Sequence, residues 1–369
     1  MGLRSYSLEI DQLLPSLAPR DAIGYHALKM QELIQSLGIK SEIYADEIKG
    51  ELKGQAHLFA EFQRKSYRSN RYIIYQASTG SPIAGHLTTR REPILINYHN
   101  ITPKEILGRW DIGVGIVVGA GIKQLSFLKE RLVGAISVSQ YNKWCLAQEG
   151  ITKNSLVAAP FIPVEAHSGS SKFGSGIRTR SVGSNWLFVG RIAPNKAQHD
   201  VIKAFSAYVT GWQQEATLTL VGGISSKSYA DSLRELVGEL GISERVHFTG
   251  PVDSMELEKQ YENATVFVCL SDHEGFGFPI IEALRHSVPV VAFASSAIPE
   301  TLGTSGILVA SKNPIQVAAA VALVENDTQL RKVLRIEAHN TLERYSQEAA
   351  TLQNLNALRK LIPEMASRK

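Results

Sequence analysis

Two carboxylates and two cations are the groups in this 369-residue sequence best placed to do chemistry. Glu274 and Glu282 bracket the stretch EGFGFPIIE, in which glycines flank Phe276 and a helical pattern begins at Pro279. Proline suits the first turn of a helix, where its missing N–H would have found no partner. Glu282 then lies about one turn into that helix, and Glu274 sits in the loop before it. Unpaired first-turn amides and the helix dipole attract anions, so the amides around Gly277, Phe278 and Ile280 can receive a phosphate group. The two carboxylates can accept hydrogen bonds from sugar hydroxyls. A glutamate pair at this spacing is weak evidence alone, because Glu282 also suits a solvated first-turn position.

Arg191 and Lys196 bracket a proline-containing turn in RIAPNKAQH. Together they suit a diphosphate, Arg191 through a forked contact and Lys196 as a point charge, although either is also at home on an ordinary surface loop. His99 ends the run PILINYHN, where a lone histidine is more often packed or capping than chemical. Ser78, Thr79 and Gly80 follow RYIIYQA as further contacts, and Asp21 is placed to cap a helix.

Such residues work only if strands end just before them, since ligands of open parallel sheets bind beyond the carboxyl ends of the strands. The chain supplies those strands. LEIDQLLP, SEIYAD, RYIIYQAS, PILINYHN and GAISVS alternate with helical patterns, the first over Ile23 to Leu37, which predicts a parallel sheet with crossover helices. Between Pro163 and Ser184 the sequence turns to Ser, Gly and Arg without periodicity, as a linker does. Alternation then restarts with WLFVGRI, ATLTLVGG, VHFTGPV, ATVFVCL and VPVVAFA. The reading is an α/β chain of two Rossmann-like domains: 1–165, a linker at 166–184, a second domain at 185–345, and a terminal helix at 346–369 crossing back to the first.

Length agrees, because two cores of roughly 150 to 200 residues suit a chain this long. The formal charge of +4 is spread along the sequence, which argues against nucleic acid as a partner and leaves open an anionic membrane surface. The two cysteines, Cys145 and Cys269, are far apart and form no disulfide framework, and the N-terminus lacks the apolar stretch of a signal peptide. Both fit a cytoplasmic location. The longest apolar run, IGVGIVVGAGI at Ile112 to Ile122, is short of the roughly 20 residues that span a bilayer and reads first as a buried helix.

Taken in order, FVGRIAPNKAQHDVIKAF, LVGG, VHFTGPV, ATVFVCLSDHEGFGFPIIEAL and PVVAFASSAIPE resemble the retaining glycosyltransferases of GT-B fold, the glycosyl transferases group 1 with their E-x7-E element. The resemblance covers about Trp186 to Val309. It implies two facing Rossmann domains and a nucleotide-sugar donor, UDP-linked or GDP-mannose. It also implies a role for each residue. Arg191 and Lys196 hold the diphosphate, Glu274 touches the donor sugar, Glu282 binds the ribose, and Gly277 and Phe278 give amides to phosphate. Pro251 and Val252 contact the base. Gly24 lets the chain approach the phosphates, although relatives carry a paired-glycine loop where this sequence has Arg20, Asp21 and one glycine. His99 faces the transferred sugar.

No Asp-x-Asp element or metal-ligand spacing occurs in the sequence, so no cofactor and no metal are expected. The expected function is transfer of a hexose to a saccharide or lipid-linked acceptor in polysaccharide or glycoconjugate assembly, compatible with peripheral membrane association. A sugar-nucleotide epimerase, or a binding protein that kept the fold, is the competing reading.

Overall fold

The computed structural model describes residues 7–19, 21–163 and 183–366; Arg20 and most of the 166–184 stretch lie outside them. The chain forms two compact units. One comprises residues 1–104, 113–163 and 345–369, and the other comprises residues 105–112 and 164–344.

The first unit is built on seven parallel strands: β1 (Glu9–Leu17), β2 (Ile43–Ile48), β3 (His57–Leu58), β4 (Arg71–Ala77), β5 (Ile94–Tyr98), β6 (Leu132–Ser137) and β7 (Ser155–Val157). They lie in the order β3-β2-β1-β4-β5-β6-β7. Every residue of β4 and β5 is buried, as expected of central parallel strands covered by helices on both faces. The helix Ala22–Ser36 follows β1. Asp21 caps it, accepting hydrogen bonds from the amides of Gly24 at 3.0 Å and Ile23 at 3.4 Å. The C-terminal helix Gln347–Leu361 belongs to this unit, where Ala357, Leu358 and Leu361 share a core with Ile10, Ile74 and Ile136.

One expectation needs correction here. The Ile112 stretch is helical, over Ile112–Leu128, but it is not a buried helix: Ile116 and Phe127 are each 67% exposed. The side facing the protein carries Gly115, Val118, Gly121, Leu125 and Leu128. A Cβ on Gly121 would stand 2.6 Å from the Gly80 amide nitrogen, so glycine lets the helix settle closely on the loop after β4 while Ile116, Val117 and Phe127 point away.

The second unit carries six parallel strands: β8 (Asn185–Val189), β9 (Thr217–Val221), β10 (Val246–Gly250), β11 (Val266–Cys269), β12 (Val290–Phe293) and β13 (Ile307–Val309), in the order β10-β9-β8-β11-β12-β13. Its core gathers Trp186, Phe188, Phe205, Leu220, Val268 and Val291. In both sheets the strand order reverses direction beside the first strand, between β1 and β4 and between β8 and β11. Beyond the carboxyl ends at such a switch point lies the crevice in which open α/β sheets bind ligands.

Candidate functional site

In the second unit the switch point is lined by the two loops that the sequence singles out. Beyond β8 the backbone of Gly190 runs at φ +153°, and a Cβ on Gly222 would stand 2.1 Å from the Gly190 carbonyl oxygen. Only glycine lets the ends of β8 and β9 approach this closely. The chain then turns through Pro194–Lys196 into the helix Gln198–Gly211.

Beyond β11, residues 270–277 lead into the helix Phe278–Arg285, with Gly277 at its N-cap in the left-handed region, φ +94°. Asn195 ties the two loops together. Its side-chain Nδ2 donates to the His273 carbonyl at 3.2 Å, and its own carbonyl accepts from the Asp272 amide at 2.9 Å. Ser296 fixes the second loop further, its hydroxyl accepting from the Glu274 amide at 2.8 Å.

This stapling brings the side chains of Lys196 and Glu274 into contact. The lysine ammonium donates to both carboxylate oxygens, at 2.7 and 2.8 Å. Both residues are mostly buried, with side chains 16% and 11% exposed. The neighbouring His273 imidazole is pushed down to about 4 by burial, so it adds no positive charge at neutral pH.

Glu282, one turn into the helix, accepts a hydrogen bond from the Tyr261 hydroxyl at 2.7 Å. Tyr261 in turn stacks on the His286 ring, with centroids 5.1 Å apart and planes within 7°. Burial, and then the Glu282 charge, raise the Tyr261 hydroxyl well above its usual range, so it stays a donor. Arg191 is exposed beside β8, with Nη1 3.4 Å from the Ser225 hydroxyl. Val252 lies past the end of β10, two strands from β8.

In the first unit Gly24 is buried in the first helical turn, where a Cβ would meet Leu17 Cδ1 at 2.9 Å. His99 follows β5 and its Nε2 lies 2.6 Å from Gln76 Oε1. Burial, with a smaller contribution from His26, holds its imidazole well below the usual histidine range. Ser78 follows β4 directly, and Thr79 and Gly80 lie against the helix Ile112–Leu128; a Cβ on Gly80 would stand 2.3 Å from the Val117 carbonyl oxygen.

Sequence reasoning thus named Lys196 and Glu274 but not their contact, and it missed the supports Asn195, Ser296 and Tyr261. The glutamines in the β1 and β4 runs were a usable signal, because a polar side chain inside a buried strand must find a partner. Among the described residues no three His, Cys, Asp or Glu side chains converge as a metal site would require.

Residues 184–341 match the model of the family described as glycosyl transferases group 1. A D-inositol 3-phosphate glycosyltransferase of Streptomyces bingchenggensis is 32% identical over 171 residues, 44% of this chain and 38% of that protein. The O-antigen chain mannosyltransferase B of Escherichia coli is 29% identical over 177 residues, 47% of this chain and 45% of that protein. The chain thus spans less than half the length of these curated relatives in its matched part.

Among solved structures, Anabaena HepE in complex with UDP-glucose superposes with a TM-score of 0.73 at 17% identity, covering 95% of this chain and 99% of that one. WaaG, a glycosyltransferase involved in lipopolysaccharide biosynthesis, gives 0.65 at 12% identity, over 95% and 98% of the two chains. The chain has the GT-B fold, and within its second unit residues 184–341 are similar to the glycosyl transferases group 1 family.

Proposed function

We propose that this protein is a retaining glycosyltransferase that moves a hexose from a UDP-sugar or GDP-mannose to a saccharide or lipid-linked acceptor, without a divalent cation. The observation that carries the reading is the Lys196–Glu274 pair at the β8/β11 switch point, one loop before a helix that starts on a left-handed glycine.

As the bond between the anomeric carbon and the diphosphate oxygen breaks, negative charge grows on the diphosphate. Lys196, Arg191 and the amides at Gly277 and Phe278 are the groups that stabilise it. The acceptor hydroxyl attacks the anomeric carbon on the face from which the phosphate departs, and its proton passes to a phosphate oxygen, so configuration is kept. Glu274 holds a sugar hydroxyl and forms no covalent bond; Glu282 holds the ribose.

Two relatives support the choice of donor. HepE was crystallised with UDP-glucose, and one curated relative is named a mannosyltransferase. The role of WaaG in lipopolysaccharide biosynthesis supports a glycoconjugate product.

The acceptor side is read as membrane-proximal, on the cytoplasmic face. The helix Ile112–Leu128 exposes Ile116, Val117 and Phe127 beside the exposed Lys123 and Lys129, and apolar side chains with flanking cations suit an anionic bilayer surface.

A thermal-shift screen with UDP, GDP, UDP-glucose and GDP-mannose tests the donor reading. A ligand present at about 100 times its Kd should stabilise the fold by about 2.7 kcal/mol. Stabilisation by none of the four overturns the reading.

A further inference from the structure

We propose that Gln76 and Gln12 are positioning residues that hold His99 as the neutral tautomer protonated on Nε2, leaving Nδ1 at the carboxyl end of β5 to accept a hydrogen bond from a hydroxyl of a bound sugar. The sugar contact rests on the glycosyltransferase reading; the tautomer assignment does not.

Three hydrogen bonds run in series through the buried centre of the first unit's sheet. Gln12 Nε2 donates to the Ala27 carbonyl at 2.9 Å, Gln76 Nε2 lies 2.7 Å from Gln12 Oε1, and His99 Nε2 lies 2.6 Å from Gln76 Oε1. Both glutamine side chains are fully buried. The direction of the series is set at its far end, because a backbone carbonyl can only accept. Gln12 must therefore turn its NH2 group to Ala27 and its oxygen to Gln76. Gln76 must then turn its NH2 group to Gln12 and its oxygen to His99. The oxygen needs a donor, so Nε2 of His99 carries the proton. Glutamine oxygens and nitrogens are otherwise interchangeable in such a structure, and here the helix carbonyl removes that freedom.

The other ring nitrogen, Nδ1, makes no hydrogen bond among the described residues. The ring beside it is neutral as well. His26 packs edge-on with centroids 5.0 Å apart, accepts from the Phe161 amide at 3.2 Å through Nδ1, and is held at about 3 by burial. Its protonated Nε2 lies 2.8 Å from the Asn97 amide group, and rotating that amide by 180° presents the otherwise unpartnered Asn97 Oδ1 to it. His99 thus presents a fixed lone pair, and the His26 ring packed against it is uncharged. A ligand hydroxyl can donate to that lone pair, whereas a second acceptor cannot.

Long-range ¹H–¹⁵N spectra of the full chain labelled at histidine read the tautomer directly. The expected result is an Nε2–H ring for His99 from pH 8 to pH 5 in the wild type. Gln76→Leu should give a mixture of tautomers, with kcat lowered about tenfold and the donor KM within about twofold. Gln12→Leu should move both readouts the same way by less, and it carries the test if Gln76→Leu fails to fold. A wild-type His99 protonated on Nδ1, or an unchanged tautomer in a folded Gln76→Leu protein, overturns the proposal. The expected tautomer in a wild-type chain that transfers no sugar supports the relay and overturns the glycosyltransferase reading alone.

Discussion

Lys196 and Glu274, 78 residues apart in sequence, are bound to each other: the ammonium nitrogen lies 2.7 and 2.8 Å from the two carboxylate oxygens. On the proposed function a diphosphate would take the lysine and a sugar hydroxyl the glutamate, so a donor would compete with this pair. The pair satisfies two mostly buried charges with each other.

The two single variants should therefore separate binding from turnover. Lys196→Ala removes a cation from the leaving group and should cost about 2 to 4 kcal/mol in kcat/KM. Glu274→Gln releases the lysine, so nucleotide affinity should hold or rise while kcat falls. Steady-state kinetics paired with calorimetry checks both, and a Glu274→Gln protein that loses nucleotide affinity in step with kcat would contradict the division of roles.

Tyr261 should matter through Glu282. Tyr261→Phe keeps the stacked ring and deletes the hydroxyl that donates at 2.7 Å. A stability loss of about 1 to 2 kcal/mol is expected, together with weaker nucleotide binding. Denaturant titration and calorimetry measure the two, and unchanged nucleotide affinity would remove Tyr261 from the site.

Gly222→Ala tests the crossing of β8 and β9. The added methyl would stand 2.1 Å from the Gly190 carbonyl oxygen, and the residue sits at φ +145°. Crowding and backbone strain together should cost about 3 kcal/mol, visible as a lower denaturation midpoint. A midpoint equal to wild type would show that the two strand ends can part freely.

Acid should weaken the fold through buried histidines. Burial depresses His26 to about 3, His273 to about 4 and His99 well below its usual range. Their unfolded counterparts take up protons near pH 6.5 while the folded rings stay neutral. Stability is therefore full above that value and falls as pH drops toward the folded values, by up to about 1.4 kcal/mol per pH unit for each ring. Thermal melts from pH 8 to pH 5 should show a plateau and then a decline, and an even midpoint across the range would contradict it.

The exposed helix Ile112–Leu128 offers a membrane test. Co-sedimentation with vesicles rich in phosphatidylserine or phosphatidylglycerol should be salt-sensitive and reduced in an Ile116→Ser, Phe127→Ser double variant that keeps its melting temperature. Equal recovery of variant and wild type would remove this face from the membrane reading.

Much of this was legible in the sequence because parallel strands and their helices print regular patterns. The helix expected over Ile23 to Leu37 forms over Ala22–Ser36, and the one expected from Pro279 starts at Phe278. Carboxyl-end loops follow from those strands, which is why Arg191, Lys196, Glu274 and His99 could be named. Their partners were less legible, because contacts such as Lys196 to Glu274 or His99 to Gln76 depend on which strands lie side by side. The Ile112 helix misled for another reason: hydropathy says how apolar a run is, whereas its glycines decide which side packs.

On the proposed function, the loop and helix start at EGFGFPIIE form the donor's nucleotide site. Isothermal titration of UDP and GDP into wild type, Lys196→Ala and Glu282→Ala tests that most directly. Wild type should bind one of the two nucleotides, and both variants should bind it at least about tenfold more weakly while melting as wild type does, as expected when a charge-assisted hydrogen bond is lost. Undiminished affinity in both folded variants would contradict it.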